Sequence, residues 1–163
     1  MNTLVSNTGP LIALGGIDRL DILAALFKTV IVPEPVHQEI MQGGKCFTGR
    51  AAYQRCHSLQ VRRVESTPDP LLTHTLDPGE ASVIWMARSI DLAWVLMDEK
   101  KGRKVARDVY ALPVMGTARV LLEAKRNALI ADVGATLQAI RATGYWIHED
   151  IVRRAVMEAK ENS

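Results

Sequence analysis

The chain has 163 residues, 48% apolar and 23% charged, with a net charge of +2 at pH 7. That is the balance of one soluble globular domain, long enough to bury a core without disulfides or a structural metal, and it permits nucleic-acid binding without demanding it. Its two cysteines, Cys46 and Cys56, stand in no CxxC or Cys/His zinc spacing, and no apolar run approaches the ~20 residues of a membrane helix, which excludes a zinc module and a helical membrane span.

Residues 3–6 read as a short buried strand that stops at Ser6, Asn7 and Thr8. Gly9-Pro10 then opens a second apolar stretch, in which Leu11, Leu14, Leu20, Leu23, Ala24 and Phe27 recur at helical spacing and Gly15-Gly16 divides two helices. The opening MNTLVSNTG has neither the basic start nor the long apolar core of a secretory signal, so a cytoplasmic protein with reduced thiols is expected. KTVIVP reads as a second strand, and Pro35 suits the first turn of a helix carrying Val36, Glu39 and Ile40. QGGKCFTGR is a glycine-rich connection, AAYQRCHSL a short helix, QVRRVE a strand and STPDPL a loop. LDPGEASVIWMARSI is the clearest helix, with Asp77 as N-cap, Pro78 at the first helical position and Glu80 at the third. LAWVLMDE is a continuous apolar strand ending in acid, KKGRKVARDVY a helix, LPVMG a short strand and TARVLLEAKRNAL a helix. Val133, Leu137 and Ile140 mark one more helix, and Ile151, Val152, Ala155 and Val156 the last.

Strands alternating with helices predict an α/β/α sandwich around a mostly parallel sheet, whose wholly apolar strands are covered on both faces. The whole chain, 1–163, reads as one domain: a core over about 1–129 and a C-terminal helical extension over about 130–163.

In such a sheet, ligand sites lie beyond the carboxyl ends of the strands. Asn7 follows the first strand, and Asp98 and Glu99 follow WVLM, so these residues are expected side by side at one edge. Glu80 shares a helix face with Val83, Ile84 and Ala87, which turns it inward at the helix N-terminus. Glu39 stands likewise beside Val36 and Ile40. Two like charges ~4 Å apart cost about 4 kcal/mol at an effective dielectric near 20, so converging acids need a cation or a shared proton. Oxygen donors without Cys or His select Mg²⁺ or Mn²⁺. Each residue also has a structural reading: Glu80 in a capping box, Asp98 as N-cap of the helix near Lys100, Asn7 in an Asx turn, Glu39 as a solvated charge.

VSNTGPLIAL, IVPEPVHQEI, LDPGEASVIWMA, LMDEKKGRKVA and LPVMGTARVLLEAKRNALI resemble, in order, successive blocks of a PIN-like family often described only as a domain of unknown function and related to VapC-type toxin ribonucleases. The resemblance spans residues 3 to about 157. It implies an α/β/α PIN fold, a metal-dependent endoribonuclease site of four acidic positions with Mg²⁺ or Mn²⁺, and products with a 5′-phosphate and a 3′-hydroxyl. It also implies an RNA substrate, a small antitoxin partner and a homodimer. The four positions fall on Asn7, Glu39, Glu80 and Asp98, with Glu99 beside the last. Asn7 departs from the family's usual Asp. An amide oxygen can still ligate or orient, but it brings no charge. The alternative is therefore a weak or inactive PIN-like module that binds RNA or protein.

Lys100, Lys101, Arg103, Lys104 and Arg107 form a basic run directly after the acids, suited either to RNA phosphates or to an ordinary solvated helix face. Arg103 is the position the resemblance singles out. Thr8 and Thr117 carry hydroxyls at strand ends, able to orient a metal or water or to cap a helix. Arg62-Arg63 and Lys125-Arg126 are lesser basic candidates, the latter suited to a helix C-terminus. His37, His57, His74 and His148 have no partner spacing. Trp85 reads as core, and Trp94 and Trp146 as core or interface.

Overall fold

A computed structural model describes residues 1–43 and 48–160. Four residues of the glycine-rich connection (Gly44, Lys45, Cys46 and Phe47) and 161–163 lie outside the described residues. Five strands and ten helices are described, in the order β1 (Thr3–Ser6), α1 (Thr8–Gly16), α2 (Asp21–Leu26), β2 (Thr29–Pro33), α3 (Glu34–Gln42), α4 (Arg50–Arg55), β3 (Leu59–Arg62), α5 (Pro70–Thr75), α6 (Pro78–Arg88), β4 (Ala93–Leu96), α7 (Lys100–Asp108), β5 (Val114–Met115), α8 (Thr117–Arg126), α9 (Val133–Ala142) and α10 (Glu149–Glu158).

The sheet is parallel throughout, in the order β3-β2-β1-β4-β5. Leu4, Val5, Ile31, Val32, Val95 and Leu96 are fully buried. Neighbouring residues of a strand point to opposite faces, so burial of both means that both faces are covered. Helix α6 packs on β1, β2 and β4 with α3 beside it, while α8 packs against α1, α2, α9 and α10. This is the α/β arrangement expected from the alternating pattern.

Two local readings change. STPDPL is not wholly loop: Asp69 accepts the Leu71 N–H at 2.9 Å and starts the short helix α5 at Pro70. Six residues are too few for helical periodicity to show in the sequence. The third strand also ends earlier than QVRRVE suggests, at Arg62, on an exposed sheet edge.

Helices α9 and α10 bury Val133, Leu137, Ile140, Val152 and Ala155 in the same apolar cluster as the sheet residues, together with Ile147 between them. Among the described residues, no helix is long and apolar enough to cross a membrane.

Candidate functional site

The chain runs from β1 outward to β2 and β3, then returns to β4 on the other side of β1. The carboxyl ends of β1 and β4 are thus the point where strand order reverses, where open α/β sheets form their ligand crevices. Ser6 pairs with Leu96, and the Asn7 N–H donates to the Leu96 carbonyl at 2.9 Å. This register places Asn7 and the Asp98-Glu99 pair at one edge, as the two apolar strands predict.

Asn7 is 4% exposed. Its side chain makes no capping bond to α1, so the Asx-turn reading fails. Its Nδ2 instead donates to Glu99 Oε2 at 3.2 Å, and its Oδ1 is buried without a hydrogen-bond partner. A buried polar oxygen left unpaired costs about 1–3 kcal/mol and calls for an explanation.

That oxygen faces the start of α6. A Cβ placed on Gly79 would lie 3.1 Å from Glu39 Oε2, 3.2 Å from Asp77 Oδ1 and 3.4 Å from Asn7 Oδ1. Three oxygens from three segments ring one point, and glycine is the residue that leaves it open. Glu39 is held by the Thr8 hydroxyl, which donates to its Oε2 at 2.7 Å. Thr8 is therefore not an N-cap; it fixes a carboxylate.

Glu80 is 7% exposed. Its N–H donates to Asp77 Oδ1 at 2.8 Å, and its Oε2 accepts the Asp77 N–H at 3.3 Å, completing a capping box. The capping and inward-facing readings of Glu80 both hold. Helix α7 crosses closely because residue 102 is glycine: a Cβ there would lie 2.8 Å from Glu80 Oε1. Burial, with the Asp77 charge adding to it, pushes the Glu80 pKa up from 4.5 to about 7. Glu99 is also raised, first by desolvation of its carboxyl group and then by the charge of Asp98.

These shifts give a signed expectation for the metal-free protein. Below the ordinary value of 4.5 Glu80 is protonated in both folded and unfolded chains; from there to about 7 the unfolded chain ionises while the folded one resists. Folding stability should fall as pH rises through that window. Thermal melts in chelator should show the decline, and Glu80→Gln should flatten it; an equal slope in both proteins contradicts the assignment.

Asp98 does not cap α7; that N-cap is Glu99, whose side chain makes no capping bond. Asp98 turns to α8 instead. Its Oδ1 accepts the Thr117 N–H, and its Oδ2 accepts the hydroxyls of Thr117 and Tyr145, each at 2.7 Å. Tyr145 comes from the connection between α9 and α10. It reaches Asp98 across Gly9, where a Cβ would lie 2.7 Å from the phenol oxygen. Burial first, and the Asp98 charge second, raise the phenol pKa far above its usual value, so it remains a donor.

Lys100, Lys101, Lys104 and Arg107 are exposed, and Lys104 and Arg107 pair with Asp108 at 3.1 and 3.3 Å. Arg103 differs. It is half-buried, has no ion pair among the described residues, and its Nη1 shares with Asp98 Oδ1 the space that a Cβ on Gly116 would fill. Arg62 bonds Gln60 and Arg63 pairs with Glu34, away from these acids. Lys125 Nζ donates to the Ala159 carbonyl at 3.3 Å, a helix C-terminus as expected, but that of α10.

Two members of the site escaped sequence reasoning. Asp77 read only as a cap, although the DPGE spacing placed it beside Glu80. Tyr145 has no sequence signal. Among the described residues, no three His, Cys, Asp or Glu side chains converge closely enough to hold one metal ion. Glu39 is turned to Thr8, Glu80 to the Asp77 amide and Asp98 to Thr117 and Tyr145. In kind, however, the donors fit a hard divalent ion: they are all oxygens, burial first and neighbouring charge second raise two of the carboxyl pKa values, and one buried oxygen is unpaired.

A family model described as a PIN domain matches residues 3–161. No curated protein matches the chain.

Proposed function

The chain belongs to the PIN domain family, whose members are in general metal-dependent nucleases, and from that premise we propose that it is a cytoplasmic, divalent-metal-dependent endoribonuclease serving as the toxin of a toxin–antitoxin pair. The observation that carries the proposal is the oxygen-lined edge at the β1–β4 reversal, with Asn7 Oδ1 buried and unpaired in it. Glu39, Glu80 and Asp98, with Asn7 as a neutral ligand and Glu99 beside it, would hold Mg²⁺ or Mn²⁺. When bound, such an ion supplies positive charge to a phosphodiester and lowers the pKa of water.

The chain's own groups perform the rest. Thr8 holds Glu39, and Thr117 with Tyr145 holds Asp98, each at a defined place on the edge, from which a bound cation would draw the carboxylates closer together. Glu80, its pKa raised to about 7, is shared between its protonated and ionised forms at neutral pH, and an entering cation would favour the ionised one. The half-buried Arg103 guanidinium beside Asp98 is placed for an RNA phosphate, and the exposed Lys100, Lys101, Lys104 and Arg107 extend the positive rim. The family resemblance supports a homodimer and a small antitoxin partner.

Asn7 itself favours the second reading, a module that binds RNA or protein with little or no cleavage. Incubating the chain with single-stranded RNA in Mn²⁺ or in chelator separates the two. Cleavage only with Mn²⁺, leaving 5′-phosphates, is expected. Glu39→Gln keeps an oxygen to accept from Thr8 but loses the charge, and should cut at least about tenfold more slowly at unchanged melting temperature. RNA binding with no cleavage by either protein would decide for the binding module.

A further inference from the structure

We propose that Tyr145 selects the kind of divalent ion this site accepts, by limiting Asp98 to a single free oxygen. The inference rests on the metal-site reading above. A carboxylate offers about four lone-pair directions, two on each oxygen. Oδ2 of Asp98 receives the Thr117 and Tyr145 hydroxyls, both at 2.7 Å, and both its directions are taken. Oδ1 receives only the Thr117 N–H, also at 2.7 Å, and keeps one direction open. On that side the neighbours are Gly116 and Arg103: a Cβ on Gly116 would lie 2.9 Å from Oδ1 and 2.7 Å from Arg103 Nη1, so the glycine leaves room there, bordered by the guanidinium.

Asp98 is therefore built to bind through one oxygen. That suits Mg²⁺ and Mn²⁺, small ions that take near-octahedral shells with one oxygen from each carboxylate. Ca²⁺ takes 6–8 oxygens at longer distance and commonly draws both oxygens of a carboxylate. With Oδ2 saturated, Asp98 cannot offer that grip. Two features let the phenol hold this position. It is anchored from the α9–α10 connection, and it passes over Gly9 where no side chain intervenes.

Tyr145→Phe keeps the ring and removes the hydroxyl, freeing one direction on Oδ2. Thr117→Val frees the other while leaving the Thr117 N–H on Oδ1. The full-length chain and both variants are titrated with MnCl₂ and with CaCl₂ by calorimetry, after melting curves establish that each is folded. In each variant the Ca²⁺ affinity is expected to gain about tenfold relative to the Mn²⁺ affinity, the scale of one charge-assisted hydrogen bond. A ratio that stays at the native value in both variants, while the native chain binds Mn²⁺ and Glu39→Gln weakens that binding, overturns the role of Tyr145 and leaves the metal site standing. A native chain that binds neither ion, or a Glu39→Gln chain that binds Mn²⁺ as the native chain does, overturns the metal site and this inference with it.

Discussion

Asn7→Asp should bind Mn²⁺ at least about tenfold more tightly than the native chain, and without metal it should melt at a lower temperature. The two effects have one cause. Asn7 is 4% exposed, and its amide nitrogen donates to Glu99 Oε2 at 3.2 Å. In the variant an oxygen stands where that donor was, and two carboxylates meet at hydrogen-bond distance. At an effective dielectric near 20 the repulsion is about 5 kcal/mol unless a proton or a cation intervenes. The metal-free variant must take up a proton or strain the β1–β4 edge; the loaded one gains a charged ligand where the native chain offers a neutral one. Melting curves in chelator and in Mn²⁺ test this directly, because the variant should gain more from the ion than the native chain does. An equal gain in both proteins means that position 7 does not face the ion.

The second large effect is expected at Asp98. Asp98→Asn should fold, lose about 1–2 kcal/mol of stability, and lose about 100-fold or more of its Mn²⁺-dependent cleavage. The fold survives because hydroxyls can turn round. The amide oxygen can keep the Thr117 N–H, while the two amide hydrogens donate to the Thr117 and Tyr145 oxygens. Charge is lost, but every partner is kept. Asp98→Ala is not equivalent: it strands the first amide of α8 and two hydroxyls, and should be destabilised by about 2–5 kcal/mol. If Asp98→Asn cuts RNA at the native rate in Mn²⁺, the carboxylate is a helix cap and no more. Urea titration of both variants beside the cleavage assay separates those roles.

The fold was legible because its strong elements are locally self-consistent. Two uninterrupted apolar strands required a covered parallel sheet, and DPGE at 77–80 carried its capping box in four letters. The edge followed from these, since strand ends fix where Asn7 and Asp98 must lie. What could not be read was tertiary. Helix α5 is too short to show periodicity. Tyr145 sits 47 positions beyond Asp98 and reaches it only after α9 folds back on α1 and α8. The orientation of each acid was equally hidden: whether Asp98 caps α7 or α8 depends on where Gly116-Thr117 arrives, and no local pattern records that. Nor does the sequence mark what Gly79, Gly9 and Gly116 do, which is to leave room that their neighbours use.

The hydrogen bond from Tyr145 to Asp98 also sets an order of assembly. During synthesis, Asn7, Glu39, Glu80 and Asp98 all leave the ribosome before residue 145 does, and N-terminal segments begin folding first. A nascent chain can close its sheet while Asp98 still lacks its last anchor. The carboxylate is secured only when α9 and α10 have emerged and docked, so the acidic edge is completed by the segment synthesised after all of its acids.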